Sequence, residues 1–361
     1  MHWFLLVILI PYLYILLKIF RNLLKIIPYS PSESPSVFAT ILTACRNEEN
    51  NLPLLLGDIS LQDYPSGMFE IIVIDDNSSD STYDTASGFR DLSNLQVYRN
   101  KGTGKKAALK TGCGIASGNL IITVDADCRL NRSWLRTIVS FYCKEKPEMI
   151  ISPVLLDDRH GLFNHFQELE FLSLQGITAG SAVAGDPLMC NGANLSFTKE
   201  SFKNHSECLH DELISGDDVF LMHNIKKEKQ SRILWLESED AAVITAASSS
   251  AGAFLKQRAR WLSKAGSYTD FSTKLTAVAT LAVVVLQFLT LMAGIFEAGY
   301  LVLFAAVFLI KSLPDYLILK NTTSRYKKER LMRWFFISQF IYPFYVLAVI
   351  SVVLSRKGWR R

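Results

Sequence analysis

Apolar residues follow two patterns along this chain. Four stretches are almost free of charge: 3–17 (WFLLVILIPYLYILL), 276–296, 300–310 and 334–354. A bilayer span needs about 20 consecutive, mostly apolar residues, so these stretches qualify or nearly qualify. Between the first and second of them, short apolar runs alternate with helical patterns. Strands are predicted at 37–44, 69–74, 95–99, 120–124 and 150–155, and helices at 48–62, 79–91, 105–116 and 132–142. The run 69–74 is apolar almost throughout, as expected of a strand covered on both faces. This βα alternation predicts an α/β fold around a doubly wound, mostly parallel sheet, whose ligands bind beyond the carboxyl ends of the strands.

Regular alternation stops near Gly161. A helix is expected at 163–174, a turn at Asn191-Gly192-Ala193-Asn194, a strand at 195–197 and a helix at 218–227. A basic amphipathic helix is expected at 252–264. The resulting map has an N-terminal membrane anchor (1–26), a linker (27–36), a catalytic domain (37–251), an interface helix (252–273) and a membrane block of about three helices (274–361).

Charge sets the expected orientation. Lys18, Arg21 and Lys25 follow the first apolar run, the reverse of a signal peptide, so it reads as an uncleaved anchor with the following domain in the cytosol. The basic loop 320–333 belongs on the same side if two helices cross before it. The last apolar segment leaves two options. It crosses once and carries Arg356, Lys357, Arg360 and Arg361 outward against the rule, or it turns back near Pro343. Net charge is only +4 and gathers beside the apolar segments, which favours anionic lipid over nucleic acid as a partner. The six cysteines have no ligand-like spacing and read as free thiols in a reducing compartment.

Acidic pairs at element ends carry the candidate chemistry. Asp75-Asp76 closes one strand, Asp125-Ala126-Asp127 closes another, and Ser215-Gly216-Asp217-Asp218 opens a helix. Uncompensated carboxylates there cost stability unless a cation or ligand uses them. Strand alternation would put Asp125 and Asp127 on one side, where they could share a hard divalent ion with phosphate oxygens. Asp217 would cap its helix and Asp218 would be the base. Lys101-Gly102-Thr103-Gly104-Lys105-Lys106 is a glycine-rich basic loop at a helix start, suited to phosphate although it is not a P-loop. Gln257-Arg258-Ala259-Arg260-Trp261 suits either an interfacial anchor or a diphosphate grip with an indole for a sugar face. His210 and His223 read as structural.

In order along the chain, Arg46-Asn47-Glu48-Glu49, Asp75-Asp76, Lys105, Asp125-Ala126-Asp127, Gly192-Ala193-Asn194, Gly216-Asp217-Asp218 and Gln257-Arg258-Ala259-Arg260-Trp261 resemble the family 2 glycosyltransferases of GT-A fold. The last group is similar to the Q(Q/R)xRW motif of cellulose, chitin and hyaluronan synthases. The resemblance implies a nucleotide-sugar site at Ala44, Arg46, Glu48, Asp75, Lys105, Asp125 and Arg260, with Mg²⁺ or Mn²⁺ on Asp127. It implies Asp218 as the base of an inverting displacement, and an acceptor site at Asp217, Gln257 and Trp261. The expected protein is an integral enzyme of the plasma (inner) membrane that moves a sugar, from a UDP-sugar, to a lipid or saccharide acceptor. A processive synthase and a silent sugar-nucleotide-binding protein are the alternatives.

Overall fold

A computed structural model of the chain describes residues 3–31, 36–206, 216–228 and 230–355. Part of the linker expected at 27–36, Cys208, His210, Ser215 and the basic tail 356–361 lie outside these residues.

In chain order, α1 (Leu9–Leu23) leads to β1 (Ala39–Cys45), α2 (Leu52–Ser60), β2 (Phe69–Asp75), α3 (Thr82–Ser87), β3 (Leu95–Arg99), α4 (Lys105–Ile115) and β4 (Leu120–Val124). Next come β5 (Arg129–Leu130), α5 (Trp134–Glu145), β6 (Met149–Ile151), β7 (Val154–Leu156) and α6 (Leu162–Val183). The chain continues through β8 (Asn194–Thr198), α7 (Lys199–His205), α8 (Asp217–Lys226), β9 (Ile233–Trp235) and β10 (Val243–Thr245). It finishes with α9 (Ala251–Leu262), α10 (Phe271–Ala293), α11 (Gly299–Arg325) and α12 (Phe335–Ser355).

These elements fall into two units, one of Ile27–Asp157 with Met189–Ala246, the other of the N-terminal segment to Ile26 with Asp158–Leu188 and the chain from Ala247. Asp158–Leu188, expected within the catalytic domain, therefore clusters with the long apolar helices.

The first unit is built on a seven-stranded mixed sheet, ordered β3-β2-β1-β4-β8-β6-β9. β3, β2, β1 and β4 are mutually parallel, β8 runs antiparallel to β4 and β6, and β6 is parallel to β9. Every residue of β2 and β4 is buried, which accounts for their largely apolar sequences, broken by Glu70 and Asp75 in β2 and Thr123 in β4. A three-stranded sheet, β5-β10-β7, stands apart from the large one.

Three expected elements change shape. The strand expected at 150–155 is two strands in different sheets, with Ser152 and Pro153 between them. Pro153 has no N–H to continue a ladder, and its carbonyl instead accepts from Asn194 Nδ2 at 2.7 Å. The helices expected at 48–62 and 79–91 shrink to α2 and α3 because the loops before them are tied together. Asn47, at a φ of 57°, accepts from Ser79 N–H at 2.9 Å and donates its own N–H to Ser78 Oγ at 2.9 Å.

Among the described residues, the second unit holds four helices long and apolar enough to cross a membrane, spanning Trp3–Leu23, Phe271–Ala293, Gly299–Arg325 and Glu329–Ser355. The last is a continuous helix through Pro343, so the expected alternative of a turn at that proline is not adopted. α6 packs against α1 and α11. Backbones approach closely there: a Cβ on Gly180 would lie 2.6 Å from Ile19 O. Inside the bundle Lys311, 1% exposed, donates to Asp315 Oδ2 at 2.7 Å and Gln339 Oε1 at 2.6 Å, while Tyr12 Oη donates to Asp315 Oδ1 at 2.5 Å. One polar chain thus joins α1, α11 and α12. Arg325 Nη2 adds a bond to Leu23 O at 2.8 Å, a second donor for a carbonyl at the end of α1 that also accepts from Ile26 N–H at 3.3 Å. Lys311→Met strands a buried carboxylate and is expected to cost about 3–5 kcal/mol. Thermal unfolding in detergent checks this, with Lys311→Met/Asp315→Leu recovering part of the loss.

Candidate active site

The carboxyl ends of β1, β2 and β4 lie side by side, since the three strands are adjacent and parallel. Ala44 is within β1, Arg46 is exposed just beyond it, and Glu48 is half-buried in the following loop. Asp75 ends β2 and is wholly buried. Its two oxygens accept from Ser78 N–H, each at 3.3 Å, and Arg99 lies 3.8 Å away.

Asp76, given no separate role from sequence, holds the glycine-rich loop. Its carboxylate accepts from Gly104 N–H at 2.7 and 2.9 Å and from Asn100 Nδ2 at 2.7 Å. Asn77 Nδ2 adds a bond to Gly102 O at 3.2 Å. The loop after β2 therefore fixes the start of α4, where Lys105 is the first helical residue. Hydrogen bonds to a charged group are worth about 1.5–3 kcal/mol each. Asp76→Ala should lower the melting temperature and weaken nucleotide binding together, whereas loss of stability alone would limit Asp76 to a scaffold role.

Lys105 forms an ion pair with Asp125, each side chain about one third exposed. Burial lowers the lysine's proton affinity, but Asp125, Asp217 and Asp218 together more than reverse that, and the pKa ends well above the ordinary value. The acidic pair after β4 and the pair opening α8 thus act on the same lysine, and Gly192, which accepts from Thr123 Oγ1 of β4 and donates to Asp218, links the two. Asp127 is pushed up by burial first and then by the Asp125 charge. Glu48 is raised by burial, partly offset by a hydrogen bond from Asn51, with Asp127 and Asp125 adding to the rise.

The sequence argument for Asp125 and Asp127 needs correction. β4 ends at Val124, and Asp125-Ala126-Asp127 is a turn closed by Cys128 N–H to Asp125 O at 3.1 Å. A turn, rather than strand alternation, makes the two carboxylates neighbours. Asp127 is further oriented by Thr245 Oγ1 of β10, which donates to its Oδ2 at 3.0 Å. No sequence signal marked Thr245, since it lies 118 positions away.

The helix-opening pair also differs. Gly216, at a φ of 99°, is the N-cap, and Asp217 is the first helical residue rather than the cap. A left-handed cap of this kind suits glycine. Both carboxylates sit in the first turn, where the helix dipole favours negative charge. Asp218 Oδ2 accepts from Gly192 N–H at 3.0 Å and Oδ1 from Val219 N–H at 2.8 Å, so two backbone donors aim it. Asn194, at the end of the same turn, is structural: it accepts from Trp134 Nε1 at 3.1 Å and donates to Pro153 O and Ala241 O. Gln257, Arg260 and Trp261 all lie on α9, in the other unit, each partly exposed.

The donor set fits a divalent ion shared with a ligand. Asp125, Asp127, Asp217 and Asp218 all act on Lys105, and Glu48 feels Asp125 and Asp127, an excess of negative charge. No cluster of three or more ligating side chains occurs among the described residues. Mg²⁺ bound through one or two carboxylates plus substrate phosphates needs no such cluster.

Residues 40–205 match the profile of glycosyl transferase family 2. The chain is 33% identical over 113 residues to beta-monoglucosyldiacylglycerol synthase of Trichormus variabilis, covering 30% of this chain and 24% of that protein. Poly-beta-1,6-N-acetyl-D-glucosamine synthase of Staphylococcus epidermidis is 21% identical over 352 residues, 88% of this chain and 82% of the relative. The match covers only 24% to 34% of the length of the first few relatives. Among solved structures, the mannosyltransferase PcManGT of Pyrobaculum calidifontis shares the fold at 20% identity, with a TM-score of 0.57 over 96% of this chain and 95% of that one. The chain thus joins a region that matches the glycosyl transferase family 2 profile, folded as a GT-A-like mixed sheet, to apolar helices of membrane-spanning length.

Proposed function

We propose that this protein is a membrane-bound inverting glycosyltransferase that moves a sugar from a nucleotide-sugar, most simply a UDP-sugar, to a lipid or lipid-linked saccharide at the cytosolic membrane face. The observation that carries the reading is that Asp125 pairs with Lys105 beyond the carboxyl end of β4, while Asp218 is tied beside the same strand through Gly192, whose N–H it accepts and whose carbonyl accepts from Thr123 Oγ1. Asp218 takes the proton of the acceptor hydroxyl as its oxygen bonds to the anomeric carbon and the bond from that carbon to the nucleotide diphosphate breaks. Ala44, Arg46, Glu48, Asp75 and Asp125 bind the nucleotide, and Lys105 and Arg260 hold its phosphates. Gln257, Trp261 and Asp217 line the acceptor site. Asp127 holds Mg²⁺ or Mn²⁺, which when bound supplies positive charge to the diphosphate.

Two comparisons support parts of this reading. PcManGT was solved with GDP-Man and Mn²⁺, and the beta-monoglucosyldiacylglycerol synthase is named for a glycolipid product. A processive synthase is the second reading, favoured by the extent of the match to the poly-beta-1,6-N-acetyl-D-glucosamine synthase, which includes the apolar helices. Thermal-shift measurements with UDP-, GDP- and dTDP-sugars, with and without Mn²⁺, test the donor assignment. UDP-sugars are expected to raise the melting temperature, more so with Mn²⁺. Indifference to all of them would end the proposal, and a ladder of product sizes would select the processive reading.

A further inference from the structure

Among the five residues 257–261, Arg258 is the most deeply buried charged group, 5% exposed, and the functional reading gives it no role. Its guanidinium grips Glu170 of α6 with a fork: Nε lies 3.0 Å from Oε1 and Nη2 2.5 Å from Oε2. Tyr345 of α12 donates to the same carboxylate at 3.0 Å. The remaining arm, Nη1, donates to Gln257 Oε1 at 2.6 Å. The flat face lies 4.2 Å from the centre of the Trp261 ring and 4.6 Å from that of Phe254.

This arrangement restricts Gln257. A guanidinium only donates, so the amide must turn its oxygen toward Arg258. Ser248 Oγ also donates to that oxygen, at 3.4 Å. The end of the side chain left to meet a ligand is the NH₂ group, a donor. Trp261 is fixed at the same time, because a cation over an indole face favours one ring placement.

We propose that Arg258, anchored by Glu170 and Tyr345, is a positioning residue for the acceptor: it commits Gln257 to donate a hydrogen bond and holds the Trp261 ring. The acceptor then presents an oxygen with free lone pairs to Gln257, as a sugar hydroxyl or a phosphate does. This rests on the reading of Gln257 and Trp261 as acceptor-site residues.

The test has two arms, both on the full chain in detergent. In the first, the emission of Trp261 is isolated as the difference between the wild type and Trp261→Phe. Arg258→Met should shift that emission, and an unchanged Trp261 signal overturns the assigned geometry. In the second, diacylglycerol, a polyprenyl phosphate and short N-acetylglucosamine oligomers are offered, and the acceptor that the wild type uses is carried forward. Arg258→Lys keeps the charge but loses the fork. It should raise the acceptor KM by about 10- to 100-fold, with donor KM and donor hydrolysis within about twofold of wild type. Gln257→Glu, which keeps the partner for Arg258 but removes the NH₂ donor, should do the same. Tyr345→Phe is a milder variant that secures the result if Arg258→Lys folds poorly, and it should give a smaller rise of the same kind. An unmoved acceptor KM, or donor and acceptor constants changing in step, overturns the proposal. A wild type that turns over no sugar nucleotide instead overturns the proposed function, and the fluorescence arm then decides the role of Arg258 by itself.

Discussion

Asp218→Asn is expected to lower sugar transfer by about 10²- to 10⁴-fold while leaving nucleotide-sugar affinity unchanged. Asparagine keeps the size of the side chain and one oxygen to accept a backbone N–H. It cannot take the proton of the acceptor hydroxyl. The wild-type carboxylate is held by Gly192 N–H and Val219 N–H, so its direction is set before any ligand arrives. Steady-state kinetics with a saturating acceptor, and a thermal shift with the donor, separate chemistry from binding. Transfer by the asparagine variant at the wild-type rate would remove Asp218 from the role of base and reopen the choice among the acidic side chains near Lys105.

Asp127→Ala is expected to lose about 10³-fold in transfer at a fixed Mn²⁺ concentration and to abolish any stabilisation by nucleotide that depends on metal. Asp125 and Asp127 lie two positions apart in a tight turn, and burial and the Asp125 charge both oppose the charge on Asp127. A divalent ion relieves both. Thr245→Val, which removes the bond to Asp127 Oδ2, should reproduce part of the loss, about 10-fold or more in metal affinity. Thermal shifts with UDP across a Mn²⁺ titration measure both variants. An alanine variant that still shows the Mn²⁺-dependent shift would mean that the ion is held elsewhere.

Much of the fold was legible because strands alternate with helical patterns and the buried ones, β2 and β4, are largely apolar. β3 and β4 match their expected limits, and β2 extends one residue further. Failures came where side chains far apart in sequence override local preference. The bond between Asn47 and Ser79 shortens two helices, and no helical pattern records a partner 32 positions away. Pro153 sits inside an apolar run, and its break was visible only as a missing N–H.

The candidate site was legible as residue types rather than as roles. Asp125, Asp127 and Asp218 were conspicuous because acidic pairs are costly at element ends. Asp76 looked like a spare partner of Asp75, although it pins the lysine-bearing loop. Arg260 was given the diphosphate and Arg258 no role of its own, yet Arg258 is nearly inaccessible and Arg260 partly exposed. Charge can be read from sequence, but whether its partner lies inside or outside the protein cannot.

The bond from Tyr12 to Asp315 joins residues 303 positions apart. At a synthesis rate of about 5–20 residues per second, roughly 15–60 seconds separate the appearance of the two. On the proposed membrane-bound reading, the first helix spends that interval in lipid with none of its eventual neighbours on α11. Its only ring hydroxyls belong to Tyr12 and Tyr14, and it carries no acidic group, so it can wait in a bilayer without a partner. Lys311 and Asp315, which could not wait alone, leave the ribosome within one helical turn of each other. The order in which the charges are made thus matches what the lipid can tolerate at each stage.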